Sequence, residues 1–250
     1  MISLEDAGVL AGAGLAAGVV GTAGGITSLV SFPALLAVGV PILPANVTNL
    51  VSLVPGWPGS ALASRPELHG RGAWLRRWSV MAVLGGALGA GLLLLTPSAL
   101  FSEVVPWLIL LASVALICQP RISAWRDRQA LDGRTWVLPV GLVLVCLYNG
   151  YFGAGSGVML LVLMLVLVER QVAVANALKN MLVGMATVVS AALFALFGHV
   201  YWWDAAPLAA GVFVGSTIGP WVARRLPGDW LRWLAALAGL GLAVDLWVTH

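Results

Sequence analysis

The chain has 250 residues, of which 60% are hydrophobic and 9% are charged, and its mean hydropathy is +0.98. A soluble domain of this size carries about 25% charged residues, so this composition excludes an ordinary soluble protein and indicates one that crosses a membrane several times. We attribute the formal net charge of +3 to basic loops on the cytoplasmic face of that membrane and expect no nucleic-acid partner.

Apolar segments make up most of the chain, and they form two groups of five separated by the charged stretch RISAWRDRQALDGR. The first group lies at 7–20, 24–40, 43–63, 73–96 and 103–119, and the second at 136–150, 154–168, 171–198, 204–223 and 230–248. This pattern predicts an all-α, polytopic membrane protein with a first half (residues 1–120), a linker (121–135) and a second half (136–250).

The two halves align with each other at a shift of 130 residues, which indicates an internal repeat. The glycine clusters GTAGG (21–25) and GAGSG (153–157) align when the shift grows by one or two residues. We interpret the chain as a duplicated half, in which each copy has a helical pair with a glycine-rich tip followed by three transmembrane helices. The identities are Asn46 with Asn176, His69 with His199, Gly85 with Gly215, Gly89 with Gly219 and Pro97 with Pro227.

Arginine positions predict that the two halves lie in opposite orientations. The loop 64–77 contains four arginines, whereas the matching loop 199–204 contains none. The loop 96–103 has no basic residue, whereas its partner 224–232 has three arginines. By the positive-inside rule the halves form inverted repeats, as in many secondary transporters. The linker is then cytoplasmic and both termini are periplasmic. Each helical pair is either two full crossings or a re-entrant hairpin.

Few other features interrupt the apolar segments. The third segment contains VPGWPGS at 54–60, where Pro55 and Pro58 predict a kink or a break. Asp245 is the one acid inside an apolar run, and its place near the C-terminus favours the outer interface over a proton-carrying role. The cysteines and histidines have no metal-binding spacing. We therefore predict no metal, no cofactor and no enzymatic activity, since no nucleophile–base set is evident either.

The glycine-rich tips are the first candidate for substrate binding. Glycine allows the chain to turn tightly and presents bare backbone N–H groups, and a helix that begins at such a tip directs its positive dipole end at the membrane centre. The alternative is close helix packing, which small residues mediate in membranes generally. The candidate residues at the tips are Thr22, Gly24, Gly25, Gly155, Ser156 and Gly157.

Polar residues at the start of two matching helices are the second candidate. Asn46 and Asn49 lie three residues apart, and Asn176 and Asn180 lie four apart, so each pair shares a helical face. Lys179 is the only lysine in the chain and matches Asn49 at the 130-residue shift. It lies about 12 Å into its segment at about 1.5 Å per residue. The alternative for these residues is snorkelling, or hydrogen bonding that only fastens helices.

A site of this composition favours an anion. It offers neutral hydrogen-bond donors and one cation but no buried carboxylate, whereas a cation site uses carboxylates or rings of carbonyl oxygens.

The order and doubling of these motifs resemble the sulfite exporter TauE/SafE family, also called the toluene sulfonate uptake permease family. The resemblance covers nearly the whole chain except 120–135. Three features depart from the family pattern: GAGSG in place of a run of glycines, no second-half counterpart of Pro33, and the Pro-Gly-Trp-Pro stretch. The matching motifs are GTAGGITSLVSFPALL (21–36), GGALGAGLLLLTP (85–97), GAGSGVMLLVLML (153–165) and GSTIGPWVARRLP (215–227).

The resemblance implies transport of a small sulfur-containing oxoanion such as sulfite, a sulfonate or sulfoacetate, with export the commoner direction. We therefore expect a secondary transporter of the bacterial inner membrane that works by alternating access. A passive anion channel and a non-transporting assembly or anchor protein are the alternatives. The sequence leaves open whether a proton or another ion is coupled to transport, and whether the protein forms oligomers.

Overall fold

The computed structural model describes residues 2–125 and 136–223, and this part of the chain is helical, without strands. The last predicted segment (230–248), Asp245, the basic loop 224–232 and most of the linker lie outside the described residues. The described helices are α1 Leu4–Gly24, α2 Ser28–Ala37, α3 Ile42–Ser52, α4 Gly56–Ala63, α5 Arg65–Leu68, α6 Gly72–Leu95, α7 Ser98–Trp125, α8 Val137–Tyr151, α9 Ser156–Leu167, α10 Val172–Phe197 and α11 Trp202–Ala223.

Helix length confirms the predicted all-α membrane fold. Five described helices are long and apolar enough to cross a membrane, namely α1, α6, α7, α10 and α11. By contrast, α2 has 10 residues and α9 has 12, which gives lengths of about 15 and 18 Å. The hydrocarbon core is about 30 Å thick, so neither can cross it alone. The alternatives for each helical pair are two full crossings or a re-entrant hairpin. The lengths of α2 and α9 favour the hairpin, in which the second helix extends only part of the way across the membrane.

The glycine clusters form the tight turns that the sequence predicts. Gly25 has φ 78°, and Gly153 and Gly155 have φ 85° and 76°, values that glycine adopts without steric cost. The two turns also touch. A Cβ atom on Gly25 would lie 2.5 Å from the backbone carbonyl carbon of Gly157, and one on Gly157 would lie 2.6 Å from the Cα of Gly25. Backbone therefore meets backbone where α1–α2 and α8–α9 turn.

The long helices pack across the boundary between the two halves. The most extensive contacts are those of α1 with α11 and of α6 with α8. Gly85 and Gly89 of α6 lie against the backbone of α8, and their sequence matches Gly215 and Gly219 of α11 lie against α1. A side chain at any of these four positions would collide with the facing helix, so glycine here serves close packing.

The third apolar segment is broken, as its prolines predict. α3 ends at Ser52 and α4 begins at Gly56, directly after Pro55. The matching segment in the second half contains no such break, because α10 runs through 26 residues from Val172 to Phe197. The chain thus presents two helix ends near the molecular centre in the first half and one continuous helix in the second.

Candidate functional site

A cavity of about 80 Å³ lies where the two glycine turns meet α4, α10 and α11. This volume holds several water molecules and is far below the roughly 300–1,000 Å³ of pockets for drug-sized ligands. It therefore suits one small solute. The lining residues come from both halves: Gly18, Gly21, Thr22, Gly25, Thr27, Ser28, Leu53, Gly56, Trp57, Ser60, Asn149, Gly153, Ser156, Gly157, Lys179, Asn180, Val183, Gly184, Thr187, Val212 and Ser216.

Three helices begin at the wall of this cavity. Ser28, Gly56 and Ser156 are the first residues of α2, α4 and α9, and all three line it. None of the three N-cap residues supplies a side-chain hydrogen bond, and most first-turn N–H groups bond backbone carbonyls of the preceding residues, as Gly56 does to Leu53 and Ser156 does to Gly153. The dipoles of the three helices still place their positive ends at the cavity wall, an arrangement that favours an anion.

Lys179 brings its amino group to the same place. Its side chain is 1% exposed, and its Nζ lies 3.5 Å from the carbonyl oxygen of Gly21, beyond the usual range of an N–H···O bond. Among the described residues Lys179 forms no ion pair, and no carboxylate lines the cavity. A buried charge without a partner is strongly unfavourable. The described protein therefore leaves the charge of Lys179 uncompensated.

Six of the eleven predicted site residues line the cavity: Thr22, Gly25, Ser156, Gly157, Lys179 and Asn180. Three of these, Thr22, Asn180 and Ser156, have their polar groups partly engaged. The Thr22 hydroxyl donates to the carbonyl of Gly18 at 2.7 Å, and Asn180 Nδ2 donates to the carbonyl of Thr22 at 3.2 Å. Asn180 retains a second N–H for a ligand.

The other five predicted residues lie beside the cavity without lining it. Gly155 packs against Ala112 of α7. Gly24 is the last residue of α1, two positions after Thr22, which lines the cavity. Three amides are used in helix contacts, which matches the fastening alternative. Asn49 accepts from Ser31 and donates to Ser28, Asn46 donates to Tyr151, and Asn176 donates to Thr22.

The sequence prediction missed a polar network in the second half. The Ser156 hydroxyl donates to Asn149 Oδ1 at 2.7 Å, and Asn149 Nδ2 donates to Thr187 Oγ1 at 3.0 Å. All three residues line the cavity. A signal was present, because Asn149 and Thr187 are isolated polar residues inside apolar segments, where a polar side chain needs a partner or a function.

Two cavity residues of α4, Trp57 and Ser60, were also missed as site residues. The sequence marked their stretch only as a helix break. The structure shows that the helix break places α4 against the cavity, so that Trp57 and Ser60 line it.

Comparison with known proteins agrees with this picture. The family model described as Sulfite exporter TauE/SafE matches residues 10–246. A probable membrane transporter protein of Haemophilus influenzae is 28% identical over 221 residues, which is 87% of this chain and 85% of the relative. A probable membrane transporter protein, ORF9, of Sinorhizobium sp is 23% identical over 230 residues, which is 92% of this chain and 88% of the relative. No solved structure matches the chain at a significant level.

Proposed function

The chain belongs to the sulfite exporter TauE/SafE family of membrane transporters, and on that basis we propose that it is a secondary transporter of a small sulfur-containing oxoanion. Sulfite, a sulfonate or sulfoacetate is the substrate class, the bacterial inner membrane is the location, and export is the direction. The substrate binds in the central cavity, between the glycine turns of the two halves.

The observation that carries this proposal is the buried, uncompensated Lys179. A buried cation surrounded by neutral groups is unfavourable. An anion that binds beside it lowers this cost, because each charge then has an opposite charge as its partner. The helix ends at Ser28, Gly56 and Ser156 also lie at the cavity wall and add partial positive charge. Asn180 supplies an N–H donor to the anion's oxygens.

Alternating access follows from the inverted-repeat interpretation. The cavity lies at the contact between the halves, so rocking of one half against the other would open it to either side. Two packing features support this interpretation. Helix α1 of the first half packs against α11 of the second half, and α6 of the first half packs against α8 of the second half. In addition, Arg71 and Glu169, which the proposed topology puts on the cytoplasmic side, form an ion pair.

The experiment is sulfite flux in proteoliposomes for the wild type and for Lys179→Met. We expect the variant to lose at least tenfold in flux, since a hydrogen bond to a charged group is worth about 1.5–3 kcal/mol. Its unfolding temperature should stay the same or rise, because the substitution removes an uncompensated buried charge. Arg76→Met, which removes an exposed cation, is the matched control and should transport normally.

Unchanged flux in Lys179→Met would contradict the proposed site. Flux that saturates with sulfite and responds to an imposed proton gradient would identify a coupled carrier. Flux that rises linearly with concentration and ignores the gradient would identify a channel.

A further inference from the structure

The short helix α4 carries two buried hydrogen-bond donors that lack partners. Trp57 and Ser60 lie three residues apart, so they share one face of the helix. Both line the central cavity. The indole Nε1 and the Ser60 Oγ are buried and make no hydrogen bond to the described residues, and Ser60 as a whole is 2% exposed. Buried polar atoms are nearly always paired, so these two donors require an explanation.

Neighbouring helices hold α4 in this position. A Cβ atom on Gly184 of α10 would lie 2.1 Å from Trp57 Cδ1, so the indole occupies the space that glycine leaves. On the other side, a Cβ atom on Gly59 would lie 2.5 Å from Ser216 Oγ of α11. Because α4 is fitted between α10 and α11, the Trp57 ring has little freedom to change its orientation.

The neighbouring helix α10, which packs against α4, contributes the cationic side chain of the cavity wall. Lys179 and Asn180 of α10 line the same space of about 80 Å³. An oxoanion beside Lys179 therefore has donors within one small enclosure on α4 as well as on α10. An anion with several oxygens uses such donors at once, and hydrogen bonds to a charged acceptor are about twice as strong as neutral ones.

We propose that Trp57 and Ser60 bind the transported oxoanion directly and favour a compact species. The indole N–H and the serine hydroxyl donate to anion oxygens. The indole ring forms part of the wall of this cavity of about 80 Å³, which favours a small anion over one with an aryl group. This inference rests on the proposed function and, within its substrate class, favours sulfite-sized anions and methanesulfonate.

A ligand role has a signature that a structural role does not share. Removing an unpaired buried donor relieves a desolvation penalty, so the empty protein should not lose stability. The same change removes a hydrogen bond from the complex, so affinity should fall. Trp57→Phe keeps most of the ring that packs on Gly184, and Ser60→Ala keeps all but the hydroxyl, so both variants should fold.

The experiment measures thermal unfolding of the purified full chain against sodium sulfite, methanesulfonate and 4-toluenesulfonate, with Kd values from the concentration dependence. We expect Trp57→Phe and Ser60→Ala each to unfold at or above the wild-type temperature without ligand and to bind sulfite about tenfold more weakly. Ser113→Ala is the matched control. Ser113 has a buried hydroxyl without a described partner on α7, outside the cavity, and its substitution should leave sulfite affinity unchanged.

The size preference has its own test. Wild-type protein should bind sulfite and methanesulfonate more tightly than 4-toluenesulfonate, and Trp57→Ala should narrow this difference. Binding of 4-toluenesulfonate by the wild type as tightly as sulfite would overturn the size preference.

The outcomes separate this inference from the proposed function. If sulfite binds the wild type and Lys179→Met abolishes binding, while Trp57→Phe and Ser60→Ala bind like the wild type, the α4 proposal is wrong and the transporter proposal stands. If the wild type binds none of the three anions, both proposals fail.

Discussion

The two halves of the chain approach the central cavity with different structures. In the first half the third apolar segment is broken, so α4 presents Trp57 and Ser60 to the cavity. In the second half the matching segment is the continuous helix α10, which presents Lys179. The residue that matches Lys179 in the first half is Asn49, whose amide bonds Ser28 and Ser31 of α2 and does not line the cavity. The cavity's distinctive donors therefore lie where the halves differ.

Where the halves match, the residues hold the fold together. Asn46 and Asn176 are each the fifth residue of their helix, α3 and α10. Asn46 Nδ2 donates to the carbonyl of Tyr151 at 2.9 Å, and Asn176 Nδ2 donates to the carbonyl of Thr22 at 2.8 Å. Both acceptors belong to the last turn of the helix before a glycine turn, where carbonyl groups lack partners within the helix. Each half thus caps a helix of the other.

The largest effect on stability is expected from adding a side chain at the contact between the glycine turns. Gly25→Ala has to adopt a left-handed backbone, which costs about 1–2 kcal/mol, and its Cβ has to displace the backbone of Gly157. Overpacking of this kind costs about 1–3 kcal/mol. We expect a loss of about 2–5 kcal/mol in the free energy of unfolding, measured by chemical denaturation in detergent.

Gly39→Ala provides the matched control for that prediction. Gly39 has φ 88°, and a Cβ atom there would meet nothing within 4 Å. This variant should lose only the backbone term, about 1–2 kcal/mol. Equal losses for the two variants would show that the glycine turns do not press on each other.

A smaller effect, and a difference between the halves, is expected from the matched asparagines. Thr22 receives a second amide bond from Asn180 at 3.2 Å, whereas Asn46 is the one described side chain that donates to the Tyr151 carbonyl. Asn46→Ala should therefore destabilise the protein more than Asn176→Ala does. Side-chain hydrogen bonds between membrane helices are worth about 0.6 kcal/mol on average and up to about 1.7, and we expect Asn46→Ala to approach the upper value.

The double variant Asn176→Ala/Asn180→Ala sharpens this comparison. It removes both donors from Thr22, so its destabilisation should equal or exceed that of Asn46→Ala. If Asn176→Ala alone is as costly as Asn46→Ala, then Asn180 does not support the Thr22 carbonyl, and its amide is free for other partners.

Several features could be predicted from sequence alone, whether or not the two halves share them. The paired asparagines, the glycine turns and the break at Pro55 follow from spacing and from the conformational limits of glycine and proline. Lys179 stood out because a charge inside an apolar segment is rare.

The roles of individual donors could not be predicted in the same way. Whether an amide lines a cavity or caps a neighbouring helix depends on which helices meet, and the sequence pattern carries no contact information. Asn46 and Asn49 therefore looked like site residues, whereas Asn149 and Thr187, single polar residues in different segments, gave no local pattern. The role of the Trp57 N–H could not be predicted, because it depends on the position of α4 beside the cavity.

The smallest effect is expected from the ion pair that joins the halves away from the cavity. Arg71 Nη2 donates to Glu169 Oε2, and the Arg71 side chain is 40% exposed. Exposed pairs contribute about 0–1 kcal/mol, so Arg71→Gln should lower the free energy of unfolding by less than about 1 kcal/mol at pH 7. Arg76→Gln, at an exposed position on the same helix end, should cause no measurable change.

The pH dependence of the stability loss in Arg71→Gln tests whether that loss comes from the charge interaction with Glu169. The backbone N–H of Gln171, followed by the charge of Arg71, lowers the pKa of Glu169. A carboxyl whose pKa is lower in the folded state stabilises the protein fully above its ordinary pKa of about 4.3. That stabilisation is lost as the pH falls through the lowered value. The difference between wild type and Arg71→Gln should therefore be constant from pH 6 to 8 and shrink in acid, because protonated Glu169 no longer attracts Arg71. A difference that persists at pH 3 would mean that Arg71 joins the halves through packing of its side chain and not through its charge.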